Sequence, residues 1–211
     1  QAVRAIVHCW YLGSMSGEAL AGVLSGAVNP SGKLPVTFAV RQADYPCFQY
    51  GREGYPGVDM QVYYNEGIFV GYRWFDTKGV RPRFPFGHGL SYTTFKYGKP
   101  VLSATSMTAG DSLTLTVPVT NTGKRTGKEV VQLYIGDEKA SVERPAKELK
   151  GFEKVALEPG ETKTVSFTII ADDLSFYCEK THGWVAEPGV FRAYVCASET
   201  DVRGTAVFEL K

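Results

Sequence analysis

Beyond residue 96 the chain alternates apolar and polar side chains with a period of two for about 115 residues, and few folds accept such a stretch. Leu113, Leu115, Val117 and Val119 alternate with Ser112, Thr114, Thr116 and Pro118. Val131, Leu133 and Ile135 alternate with Val130, Gln132 and Tyr134. Val165, Phe167 and Ile169 alternate with Thr164, Ser166 and Thr168, and Phe191, Ala193 and Val195 with Arg192 and Tyr194. Successive side chains of a strand point to opposite faces, so each run offers one apolar face to a core and a mostly polar face to the outside. Asn121-Thr122-Gly123, Glu158-Pro159-Gly160 and Glu187-Pro188-Gly189 punctuate the runs as turns. About seven strands in this length predict an all-β sandwich over 97–211, immunoglobulin-like or fibronectin type III-like. Its core is expected to include Leu115, Val117, Leu133, Phe167 and Val195.

Residues 1–96 have a different texture. Ala5-Ile6-Val7-His8-Cys9-Trp10 reads as a buried strand, with Trp10 in a core. A domain rarely opens so abruptly, so the N-terminus reads as a cut. A helix follows: Ser14 or Ser16 can cap it, Glu18 suits its positive end, and Gly26 stops it. Ala19, Leu20, Val23 and Leu24 make its apolar stripe. Asn29-Pro30-Ser31-Gly32 is a turn, and 34–38 reads as a second strand. Strand, helix, turn, strand is one unit of a parallel α/β sheet, so 1–96 is expected to be the end of such a domain plus a connector. Within it, 39–60 reads as an ordered loop whose tyrosines favour a functional role.

The composition is that of a globular chain, 44% hydrophobic and 21% charged, with a formal net charge of +1. No cluster of Lys and Arg suits a nucleic-acid backbone, and no apolar run is long enough to span a membrane. Cys9, Cys47, Cys178 and Cys196 lack CxxC spacing, and His8, His88 and His182 are scattered, so no metal centre or cofactor motif is indicated. Cys178 and Cys196 fall on successive predicted strands and can pair, or all four can be buried thiols. The compartment is left open.

Three stretches in order resemble glycoside hydrolase family 3. The first is Trp10-Tyr11-Leu12-Gly13 with Glu18 to Gly26 and Asn29 to Phe38. The second runs from Val62 through Tyr63-Tyr64-Asn65-Glu66-Gly67-Ile68-Phe69-Val70-Gly71-Tyr72-Arg73-Trp74-Phe75 to Asp76. The third is Phe84-Pro85-Phe86-Gly87-His88-Gly89-Leu90-Ser91-Tyr92-Thr93-Thr94-Phe95. Leu12, Ser14-Met15-Ser16 and His88 depart from the family's commoner residues and put only local loop shape in question. The resemblance implies the C-terminal portion of a retaining, exo-acting β-glycosidase, a β-glucosidase first of all, acting on terminal β-linked sugars. It also implies a partner, an N-terminal TIM barrel carrying an Asp nucleophile, which this chain does not hold. Relatives of this kind are often periplasmic or secreted.

Retaining glycosidases use two carboxyl groups roughly 5 Å apart, one to attack the sugar and one to protonate the leaving oxygen. The proton donor needs an apolar or anionic setting. Glu66 lies among Tyr63, Tyr64, Ile68, Phe69, Tyr72 and Trp74, with Gly67 to let the chain turn, and the resemblance assigns it the general acid/base role. A structural Glu that binds loop amides is the competing reading, with Glu53 and Asp59 as the other acids nearby. Tyr64, Tyr72 and Arg73 are the candidates for binding sugar hydroxyls. Asp76 could also reach a sugar hydroxyl, but for Tyr72, Arg73 and Asp76 packing between the two domains is the favoured reading. An alternative of another class is a non-catalytic carbohydrate- or protein-binding, or scaffolding, module.

Overall fold

The computed structural model describes residues 3–211. Its first segment carries α1 (Ser16–Ser25), two single 3-10 turns at Gln42–Asp44 and Pro46–Phe48, α2 (Gly51–Gly54, one turn) and α3 (Tyr72–Thr77). The strands follow: β1 (Phe95–Tyr97), β2 (Val101–Leu102), β3 (Ser106–Met107), β4 (Ser112–Asn121), β5 (Gly127–Asp137), β6 (Glu148–Leu157) and β7 (Thr162–Ile170). After the single turn α4 (Ala171–Leu174) come β8 (Phe176–Cys178), β9 (Gly183–Val185), β10 (Gly189–Ser198) and β11 (Asp201–Leu210).

Two sheets face each other. In one, β4 is paired antiparallel with β7 along one edge and with β1 and β2 along the other. The other has the order β3-β11-β10-β5-β6, antiparallel except for the β3–β11 pair. The expected alternation holds: Leu113, Leu115, Val117 and Val119 are buried, as are Val131, Leu133 and Ile135, then Val165, Phe167 and Ile169, then Phe191, Ala193 and Val195. They form one core with Phe208 and Leu210 of β11. Ile169→Val, which removes one methylene from this core, should cost about 0.5–1.5 kcal/mol in urea unfolding of the chain.

The outer face of β5 departs from the simple pattern. Gln132 and Tyr134 were expected on a polar, open face, yet both are buried. The connector covers them. Gln132 Nε2 donates to Gly87 O (3.2 Å) and Ala197 O (3.0 Å), Tyr134 Oη donates to Gln132 Oε1 (2.8 Å), and the Tyr134 ring meets Tyr72 edge-on at 5.7 Å. Gly87 makes this approach possible: its φ is 76°, and a Cβ there would run into the Gln132 amide.

Other local expectations are corrected. Residues 5–10 form no strand, and Ile6 (64%) and Trp10 (53%) are exposed. Residues 34–38 form no strand either: Phe38 bridges Phe84, and Leu34 exchanges backbone hydrogen bonds with Gly87 and His88. A strand exists only where a neighbour accepts its backbone hydrogen bonds, and among the described residues none lies alongside 5–10. The helix forms where expected, with Gly26 left-handed at its end, but Met15 occupies the N-cap position and no side chain caps it. None of its residues is buried: Leu24 is exposed, and Leu20 and Val23 are only half-covered. All four cysteines are free thiols: Cys178 lies on the β8–β9 hairpin and Cys196 on β10 in a different sheet. Cys196 alone is buried, and burial pushes its thiol up to about 12.

Candidate active site

The Glu66 loop is a series of tight turns. Val58 and Gln61 bridge a turn in which Asp59 and Met60 are left-handed, and Tyr63 N donates to Glu53 O (3.0 Å). Gly67 N then donates to Tyr64 O (3.1 Å) and Phe69 N to Glu66 O (3.1 Å). Gly67 and Gly71 have φ of 56° and 60°, with open space where a Cβ would stand. Glycine is needed there for the backbone angle rather than for room. The loop is pinned by Phe69, which is buried with Trp74 and Phe75 of α3 against Ala39, Tyr45 and Val80. The Trp74 Nε1 donates to Asp44 O at 3.1 Å, tying α3 to the preceding 3-10 turn.

Glu66 lines an open cavity of ≈ 310 Å³ with Tyr50, Asn65, Gly67, Ile68, Phe69, Lys78 and Glu143. Its Oε2 is buried and has no hydrogen-bond partner among the described residues. A loop Glu whose task was to bind backbone amides would have donors on that oxygen. The cations close in sequence are committed to other carboxylates: Arg73 Nη2 stands 3.1 Å from Glu148 Oε1, and Lys78 Nζ 3.0 Å from Glu143 Oε1. The Lys78 ammonium also sits 4.3 Å from the centre of the Phe69 ring. Glu53 and Asp59 lie exposed on the loop before.

The three candidate sugar-binding residues separate. Tyr64 is exposed (79%) beside Glu66. Tyr72 is turned to the sandwich, where its Oη accepts from Leu149 N (2.8 Å) and its ring packs on Phe86 and Tyr134. Burial there pushes its phenol above the ordinary value. Arg73 pairs with Glu148 of β6, and Asp76 accepts from Lys147 at 2.6 Å. Lys147 also reaches Glu199 (3.0 Å) at the end of β10, so one buried ammonium serves two carboxylates. Lys78, Glu143 and Lys147 carried no local sequence signal. They come together only because the sandwich folds back onto α3.

Comparison with known proteins agrees with this layout. Residues 1–72 match the Glycosyl hydrolase family 3 C-terminal domain, and residues 129–199 the Fibronectin type III-like domain. Beta-glucosidase BoGH3A of Bacteroides ovatus is 56% identical over 207 residues, 98% of this chain and 28% of the relative. The crystal structure of a Bifidobacterium adolescentis GH3 beta-glucosidase superposes with a TM-score of 0.88 at 38% identity, over 95% of this chain and 29% of that one. Beta-glucosidase 3B from Thermotoga neapolitana, solved with alpha-D-glucose, gives 0.85 at 39% identity, over 95% and 27%. The chain thus spans little more than a quarter of the length of these relatives. With both domain matches in the expected order and Glu66 inside the first of them, the chain belongs to glycoside hydrolase family 3, as its C-terminal part.

Proposed function

We propose that Glu66 is the general acid/base of a retaining, exo-acting β-glycosidase, a β-glucosidase in line with the relatives, and that a TIM barrel outside this chain supplies the nucleophile. The observation that carries the reading is the Glu66 carboxyl itself. It opens on a cavity, it has a buried oxygen without a donor, and the neighbouring cations are neutralised by other acids. Such a carboxyl is free to give and take a proton rather than hold a loop.

The chemistry is a double displacement. The nucleophile's carboxylate attacks the anomeric carbon while the glycosidic oxygen takes the proton of Glu66, so the alcohol leaves neutral. The Glu66 carboxylate then takes a proton from water as that water attacks the glycosyl–enzyme ester. The nucleophile is released and the anomeric configuration is retained. Tyr64, Ile68 and Val70 leave an apolar rim open beside Glu66, a surface suited to contact with the rest of the enzyme and with the leaving group.

The complete enzyme should hydrolyse an aryl β-glucoside and release the β-anomer first, read by NMR before mutarotation. The 211-residue chain alone should hydrolyse it no faster than buffer, because it holds one of the two carboxyl groups required. Turnover by the chain alone, or the α-anomer as first product, contradicts the proposal.

A further inference from the structure

We infer that the sandwich segment Glu143–Leu149 sets the position of the acid/base by gripping α3, which makes Arg73 and Thr77 positioning residues for proton transfer. The inference rests on Glu66 being that acid/base.

The contacts fall in antiparallel order along two short stretches. Tyr72 meets Leu149, Arg73 meets Glu148, Asp76 meets Lys147, Thr77 meets Ala146 and Lys78 meets Glu143. Every one involves a side chain of residues 72–78, and the Thr77 Oγ1 accepts from Ala146 N at 2.9 Å. A helix of six residues does not hold itself, and α3 has no side-chain cap at its start. Its order comes from what it is packed on. On one side that is Phe69 of the Glu66 loop, with Trp74 and Phe75. On the other side it is the sandwich.

Glu66 lies six residues before Tyr72, and between them stand Gly67 and Gly71, both left-handed in φ. The turn bonds within the loop, Gly67 N to Tyr64 O, Phe69 N to Glu66 O and Val70 N to Ile68 O, shape it locally but do not tie it to the rest of the chain. Its fixed points are the Tyr63–Glu53 backbone bond before Glu66 and the Phe69 anchor after it, and that anchor moves with α3. Arg73 is the tooth nearest the loop that makes an ion pair, and Glu148 is itself held by Arg144 at 3.2 Å. Loosening these teeth shifts the carboxyl relative to the leaving oxygen, and a displacement of about 1 Å can cost roughly 100-fold in rate.

The test is made in the complete enzyme with Arg73→Met/Thr77→Val, the conservative pair Arg73→Lys/Thr77→Ser, and Glu66→Gln as the reference. Each is assayed for kcat/KM on aryl β-glucosides whose leaving groups range from poor to good. The double variant should fall about 10- to 100-fold on poor leaving groups and change little on dinitrophenolate, and the conservative pair should recover most of the loss. Thr77→Val alone keeps every ion pair and carries the same test, with a smaller effect, where the double variant does not fold. An equal loss on all leaving groups, or none, while Glu66→Gln does discriminate among them, overturns the inference alone. It would then assign Arg73 to sugar binding or to the fold. A flat response in Glu66→Gln overturns the acid/base reading, and the inference with it.

Discussion

In the complete enzyme, Glu66→Gln is expected to slow the glycosylation step by about 10²–10⁴-fold on substrates with poor leaving groups. The size of the loss follows from what the proton does. A sugar alkoxide is too basic to depart unprotonated, so an amide at this position leaves it bound. A dinitrophenolate departs unaided and should lose far less in the same step. The fold should be untouched, because amide and carboxyl are nearly isosteric and Glu66 makes no side-chain hydrogen bond that its Oε2 would give up. Presteady-state release of a series of aryl leaving groups checks this, with the slope against leaving-group basicity as the readout.

The second large effect is expected at Lys147. Its ammonium is nearly buried and pairs with Asp76 and with the fully buried Glu199. Lys147→Met strands two carboxylates, and breaking a buried pair from one side costs about 3–5 kcal/mol. Replacing all three groups, as Lys147→Met/Asp76→Asn/Glu199→Gln, should recover most of that loss, because desolvation of the charges disappears together with their attraction. The pH dependence has a definite sign. Burial pulls the Lys147 ammonium down, but its bonds to Asp76 and Glu199 more than offset this and it stands above its ordinary value. Its contribution is therefore present below about pH 10.5 and is lost as the pH rises through its folded value. Burial raises Glu199, only partly countered by Lys147. A raised carboxyl favours the fold most below its unfolded value, near 4.5. Wild type should thus lose ground to Glu199→Gln as the pH climbs above that value, and unfolding free energies measured across the acid range check the slope.

Much of the sandwich is legible in the sequence because its information is local. The strand period is set by covalent geometry, so the inward phase of Leu115, Phe167 and Val195 follows from alternation alone. β11 gave a weaker signal, interrupted by Gly204 and Ala206, although Phe208 and Leu210 flanking Glu209 mark its inward face. What failed was non-local. Residues 5–10 have a strand's composition, but a strand also needs a neighbour, and composition does not supply one. The second buried face of β5 depends on residues 72–89 arriving from elsewhere in the chain, which no pattern within β5 reveals. The candidate site was legible in a different way. Glu66 stands out by the family motif around it, whereas Lys78, Glu143 and Lys147 enter only through the three-dimensional return of the sandwich onto α3.

The most direct test of Glu66 as the acid/base is chemical rescue of Glu66→Ala in the complete enzyme. Truncation leaves space beside the anomeric carbon of the covalent intermediate, and azide can enter it and attack without a base. On an activated aryl β-glucoside, added azide should raise turnover and yield the β-glycosyl azide, identified by NMR. If azide neither speeds turnover nor appears in the product, and Glu66→Ala slows good and poor leaving groups alike, Glu66 is a structural residue and the acid/base must be sought elsewhere, first at Glu53 or Asp59.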